Sequence, residues 1–212
     1  PWVRIPPSPP LTHPPLRAGA SRPARRGAHD RYRRGVPAVL PTDPDHDAWM
    51  RVALVQAGEA AGHGDVPIGA VVVHHDPDGG AHVVAARHNE RELTGDPTAH
   101  AEVLALRDAA ATLGRWRLDD CTMVVTLEPC PMCAGALWAS RIGGVVFGAE
   151  NVDAGALGTL YHLGQDPRLN HEFPVRAKVM GEESADLLRG FFAERRNGAA
   201  SDVDVKAPPA DG

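Results

Sequence analysis

The chain has 212 residues, 43% of them apolar, with 22 basic against 27 acidic side chains and a formal net charge of -5 at neutral pH. Its longest apolar runs, VPIGAVVV at 66–73 and IGGVVFGA at 142–149, are too short to span a bilayer, and no basic start is followed by the continuous apolar stretch of a signal peptide. Three cysteines do not make a disulfide scaffold, so a reducing, cytoplasmic compartment is expected.

Charge is unevenly spread. Residues 1–35 hold eight arginines and one acidic residue, for +7, while the remainder carries -12. Residues 1–44, rich in Pro, Arg and Gly, read as a disordered arm. Such an arm can attract nucleic acid non-specifically, but a translated upstream stretch or an inaccurately assigned start is the simpler reading, since residue 1 is not Met. The acidic body advertises no broad nucleic-acid surface.

Alternation follows. Met50, Ala53, Leu54, Ala57 and Ala61 recur at helical spacing and predict a first helix over 46–61. Ile68–Val73 and His82–Ala86 flank DPDGG and predict a β-hairpin. Thr98 is placed to cap a helix carrying Ala101, Leu104, Ala105 and Ala109. A strand over Thr122–Leu127, a helix over Met132–Ser140 and a strand over Gly144–Phe147 come next. Val175–Met180 reads as a last strand and Glu182–Arg196 as a closing helix, with residues 198–212 a loose tail. Strands alternating with helices suggest helices packed around one sheet.

Two motifs carry chemistry. Cys130-Pro-Met-Cys133 by itself fits a metal half-site, a redox pair at a helix start, or two core thiols. TAHAEVLAL at 98–106 shifts the balance to metal. His100, Cys130 and Cys133 supply two thiolates and one imidazole, which is three ligands with one position open, the pattern of a catalytic zinc site. Both ligand groups fall at predicted helix starts, where the dipole and free N–H groups favour thiolate. Glu102, two residues past the histidine, can reach the open side without binding the metal and exchange protons with an activated water. Histidine, glutamate and two cysteines in this order match the zinc nucleobase-deaminase signature. Cys121 reads as a small core residue. His46, His63, His74, His75 and His82 read as ordinary surface histidines, and His171 as a candidate substrate contact.

Residues 46–197 resemble the bacterial tRNA-specific adenosine deaminase family, within the cytidine deaminase-like superfamily. The resemblance rests on VPIGAVVV, Asn89, DPTAHAE, TLEPCPMCAGA, SRIGGVVFGA, GALGTLYHLGQDPRLNH and FFAERR. It implies a deaminase domain over 45–197, an α/β fold and a three-layer α/β/α sandwich around a five-stranded mixed sheet. It also implies a homodimer acting on the anticodon stem-loop of tRNA. The family converts adenosine to inosine at the wobble position, principally in arginine tRNA with an ACG anticodon.

Carried over residue by residue, His100, Cys130 and Cys133 would hold Zn2+ and Glu102 would move protons. Asn89 would bond the target nucleoside, Ile68, Leu127 and Pro129 would shape the base pocket, and the Ala101 backbone would lie beside the reacting edge. Phe192 and Arg195 would touch the anticodon loop. One position departs from the pattern: Asn151 stands where an aspartate that meets the ribose is common. Asparagine keeps an acceptor and adds a donor but loses the charge, which would relax the demand for a 2′-hydroxyl. Asp153 stands where lysine is frequent. Free-base deaminases such as guanine deaminase share the zinc motif, and a non-catalytic zinc subunit is a further alternative. The later blocks favour tRNA, and the presence of Glu102 favours an enzyme.

Overall fold

The computed structural model describes Leu40, Asp43 and residues 45–204. The expected arm over 1–44 therefore lies outside the described residues but for Leu40 and Asp43, as do residues 205–212 of the expected tail. Helix α1 spans Asp45–Gly62, and β1 (Gly69–His75) and β2 (Ala81–His88) form the expected hairpin. A short helix α2 (Arg91–Thr94) precedes α3 (Ala101–Leu113), β3 (Cys121–Leu127), α4 (Pro131–Ser140) and β4 (Gly144–Ala149). A 3-10 turn at Leu163–Gln165, strand β5 (Val175–Arg176) and helix α5 (Gly181–Asp204) complete the order.

The sheet is mixed and five-stranded, in the order β2-β1-β3-β4-β5. β1 runs antiparallel to both β2 and β3, whereas β3, β4 and β5 are parallel. Side chains alternate across the pleat, so β1, β3 and β4 feed two cores. Ala70, Val72, Met123, Val125, Val145 and Phe147 pack with Ala101, Ala105 and Leu106 of α3 and Leu137 of α4. Val71, Val73, Val124 and Val146 pack on the other face with Trp49, Met50 and Ala53 of α1. Continuous valine runs suit strands covered on both sides. Gly69 permits the close approach of α1, because a Cβ there would lie 2.5 Å from the Ala57 nitrogen. No described helix is long and apolar enough to cross a membrane.

Three expectations change. Thr98 does not cap α3: its hydroxyl donates to Asp96 Oδ1 at 2.7 Å, and extended His100 occupies the cap position instead. The last strand stops at Arg176, because Lys178 (φ 65°) and Met180 (φ 49°) adopt left-handed backbone that a strand cannot contain. The closing helix continues past Arg196 through Asp204, into the segment expected to be a loose tail. Residues 197–204 contain no proline to stop it.

Candidate active site

Two helix starts meet at one end of the sheet. His100 caps α3 and Cys130 caps α4, both in extended backbone and neither side chain spent on its own helix. Pro131 at the first helical position has no N–H to leave unsatisfied, which favours the turn from β3 into α4. Cys133 lies one turn in and is fully buried. The three donor atoms form a tight triangle: Cys130 Sγ to Cys133 Sγ is 3.7 Å, and His100 Nδ1 lies 3.9 and 3.5 Å from the two sulfurs. A tetrahedral zinc with Zn–S of about 2.3 Å and Zn–N of about 2.0 Å needs edges of about 3.8 and 3.5 Å. The donor set and its spacing fit the ion.

The electrostatics agree. The Cys133 thiol and the His100 ring beside it lower the Cys130 thiol to about 4, against the desolvation that burial imposes. The adjacent Cys130 and burial push the Cys133 thiol the other way. His100 is raised by the same contact with Cys130. A dication would hold both sulfurs as thiolates.

Glu102 sits in the first turn of α3, 3% exposed, with Oε2 buried and unpartnered. Burial raises its pKa, the direction that suits a group accepting and returning a proton near neutral pH. An unpartnered buried carboxylate oxygen is costly, so its place beside the sulfur–imidazole triangle needs a reason outside packing.

The remaining expected residues divide. Asn89 is buried, and its Oδ1 accepts the Ala101 N–H at 2.9 Å. That bond commits the Ala101 N–H to fixing Asn89 and leaves the Asn89 amide N–H groups as its means of meeting a ligand. Ile68 packs on the core beside this segment, since its carbonyl accepts the Asn89 N–H at 3.0 Å. Leu127 and buried Pro129 line the passage from β3 to the cysteines. Phe192 is 43% exposed near the middle of α5, and Arg195 donates to the Gly64 carbonyl at 2.9 Å while stacking over Phe191. The helix thus reaches the segment leading into Ile68.

His171 goes elsewhere. It is buried, bonds the Ile142 carbonyl at 2.9 Å through Nε2, and tilts against Phe173. Ile142 precedes β4, whose other end lies beside Leu127, so the structure places His171 at the opposite end of that strand from the cysteines. Asn151 is spent partly on its own loop, accepting the N–H groups of Asp153 at 3.3 Å and Ala154 at 3.0 Å.

Comparison with known proteins bears on the chemistry. A MafB19-like deaminase family model matches residues 44–196. The tRNA-specific adenosine deaminase of Bacillus subtilis is 44% identical over 150 residues, covering 71% of this chain and 90% of its own. The chain belongs to the tRNA-specific adenosine deaminase family. A solved structure from a study of A-to-I editing by tRNA:A34 deaminases at the wobble position of transfer RNA is 38% identical, with a TM-score of 0.62 over 66% of this chain and 99% of that one. A guanine deaminase from Nitrosomonas europaea is 26% identical with a TM-score of 0.56, over 84% and 97% of the two chains. The three-layer sandwich of this deaminase is the cytidine deaminase-like fold.

Two residues that organise the deaminase site escape a reading of its sequence. Glu128, 1% exposed, accepts the N–H groups of Leu157 at 2.9 Å, Thr159 at 3.0 Å and Asn151 at 3.2 Å, and the Thr159 hydroxyl as well. Burial alone would raise its pKa, but these donors outweigh it and hold the carboxyl below its usual range. Gly155 is required there, because a Cβ would enter the Glu128 carboxylate and lie 2.6 Å from the Asn151 carbonyl. Asp65, 2% exposed, accepts the Glu92 N–H at 3.0 and 3.1 Å and the Leu93 N–H at 3.2 Å, and so anchors α2 just past Asn89. The signal for Glu128 was its place between Leu127 and Pro129, where a charged residue has no surface to face. Asp65 carried no local signal.

Proposed function

We propose that the chain hydrolyses the exocyclic amine of adenosine to give inosine at the wobble position of tRNA, with arginine tRNA bearing an ACG anticodon as the principal substrate. One observation carries the reading: the buried, unpartnered Glu102 oxygen beside the triangle of His100, Cys130 and Cys133.

His100, Cys130 and Cys133 would hold one zinc ion, which supplies Lewis-acid activation of water at neutral pH. Glu102 takes a proton from the attacking water and delivers it to N1 of adenine. It then moves the second proton to the departing amine, so water and adenosine become inosine and ammonia. The Asn89 amide orients the nucleoside, held by its bond to Ala101. Ile68, Leu127 and Pro129 provide apolar walls for an unstacked base, which costs least in a single-stranded anticodon loop. Phe192 supplies an exposed ring for a loop base and Arg195 a cation near it. Val152, Leu160 and Tyr161, 72%, 52% and 55% exposed on the loop that Glu128 holds, are apolar surface suited to the partner of a homodimer.

Similarity to a guanine deaminase favours free-base turnover as the second reading. Inosine formation in an ACG anticodon stem-loop separates the two, run beside Glu102→Gln with free guanine, adenosine and cytidine in parallel. Wobble inosine that vanishes in the variant is the expected result. Ammonia from a free base alone would move the protein to base salvage. No turnover on any substrate, with zinc bound, would leave a non-catalytic subunit.

A further inference from the structure

A second group of metal-ligating side chains lies at the turn of the β1–β2 hairpin. His74 and His82 are cross-strand partners in register, with ring centroids 5.3 Å apart, edge to face. Asp76 follows His74 by two positions and presents one oxygen to each ring: Oδ1 lies 3.3 Å from His74 Nδ1, and Oδ2 lies 3.2 Å from His82 Nδ1. One donor atom from each of the three residues falls within 4.8 Å of the others. With metal–ligand bonds of about 2.0–2.2 Å, adjacent nitrogen and oxygen ligands of one tetrahedral ion sit about 3.3–3.6 Å apart, slightly wider than the distances here.

Two features separate this group from an ordinary surface cluster. His74 Nδ1 is buried and makes no hydrogen bond of proper geometry despite the nearby carboxylate. The other nitrogen of the same ring, Nε2, lies 3.3 Å from Asp120 Oδ2, and Arg115 fixes that carboxylate with contacts of 2.6 Å to both oxygens. A carboxylate behind a histidine puts the proton on the far nitrogen and leaves the near one as a lone pair, the usual support of a metal-binding imidazole.

We propose that His74, Asp76 and His82 form a second divalent-metal site, positioned by Asp120 and taking a borderline first-row cation such as Zn2+. Two imidazoles and one carboxylate suit such ions better than magnesium or calcium, which favour oxygen ligands. Three side chains would hold the ion and leave its fourth position to solvent, away from the cysteines. β1 runs antiparallel to β3, and His74 pairs with Cys121, at the opposite end of β3 from Leu127 and the cysteines beyond it. The bound ion ties β1 to the turn end of β2, an edge strand whose first three residues are exposed.

The test compares the full chain with His82→Ala, a 54% exposed side chain whose truncation leaves the core intact. Zinc content is counted by mass spectrometry after equilibration at micromolar free zinc, and the thermal midpoint is followed as zinc is added. The wild type is expected to hold one equivalent more than the variant, whatever the cysteine site holds. Its midpoint should rise with added zinc over a range in which the variant's does not. Asp120→Asn should keep the extra equivalent but weaken it about 10-fold or more. Equal zinc content and equal midpoint shifts in wild type and His82→Ala would overturn the site. Inosine formation should be the same in both proteins.

Discussion

Glu128 and Leu157 stand 29 residues apart in sequence yet meet at 2.9 Å, the buried carboxylate accepting the Leu157 N–H. Together with the Asn151 and Thr159 donors, this bond folds the loop after β4 against the residue that precedes Pro129 and Cys130. Glu128→Gln replaces an all-acceptor group with an amide that turns N–H against N–H. A loss of about 2–3 kcal/mol is expected, the cost of a buried charged acceptor left mismatched. Urea unfolding checks it, with zinc content measured alongside. If the loop presents substrate surface, KM for the stem-loop should rise more than kcat falls. An unchanged KM would confine Glu128 to stability.

Gly155→Ala tests the same contact from the other side. Its φ is not left-handed, so the cost comes from space alone: the added methyl needs room that the Glu128 carboxylate and the Asn151 carbonyl occupy. Destabilisation of about 1–3 kcal/mol follows from overpacking. Because both changes strain one contact, Glu128→Gln with Gly155→Ala should cost less than the two losses added. Additive losses would show that the two residues act apart.

How legible was this site? The convergence of His100, Cys130 and Cys133 with Glu102 beside them was readable because few residue types recur at those spacings, and because both motifs sit at helix starts that local pattern reveals. The strands were readable from their valine runs. Thr98 misled because an aspartate two residues earlier competes for its hydroxyl, a choice that capping preference does not encode. Lys178 and Met180 end the expected strand over Val175–Met180 through backbone conformations that no composition signals. Glu128 and Asp65 bond backbone N–H groups distant in sequence, so their roles exist only once the chain is folded. His171 drew a functional reading because it follows a loop rather than an apolar element, and its burial against the Ile142 carbonyl depends on contacts distant in sequence.

Glu102→Gln should cut inosine formation about 10²–10⁴-fold, the usual weight of a positioned acid–base group, and leave zinc content unchanged. Cys133→Ser should lose both metal and stability, since its sulfur is buried among core atoms as well as facing His100. Elemental analysis beside a single-turnover assay separates the two. Loss of zinc from Glu102→Gln would make the glutamate a ligand or a support of one.

Asp65 supplies a pH-dependent term. Burial would raise its pKa, but the N–H groups of Glu92 and Leu93, with His63 beside it, outweigh burial and hold the group below its ordinary 3.8. A folded pKa below the unfolded one gives stability that is present above the unfolded value and lost as pH falls through the folded one. Wild type should therefore exceed Asp65→Asn by about 1–2 kcal/mol at neutral pH, with the margin shrinking below about pH 4. Thermal melts of the two proteins across that range check the sign. A margin that grows on acidification would contradict it.

Asn151 lets turn formation and substrate recognition be separated. Its Oδ1 already accepts the Ala154 N–H at 3.0 Å, so the oxygen builds the loop and the amide N–H groups remain for a ribose. Aspartate would make the same turn and add a charge, so Asn151→Asp should change stability by less than about 0.5 kcal/mol. It should also sharpen dependence on the 2′-hydroxyl, because a carboxylate accepts from that group more strongly than an amide does. Rates on an RNA stem-loop and on its DNA counterpart give the ratio. Asn151→Asp is expected to raise the RNA-to-DNA preference about 5- to 10-fold, near 1 kcal/mol. An unchanged ratio with an unchanged fold would mean that the Asn151 side chain serves the loop and never meets the sugar.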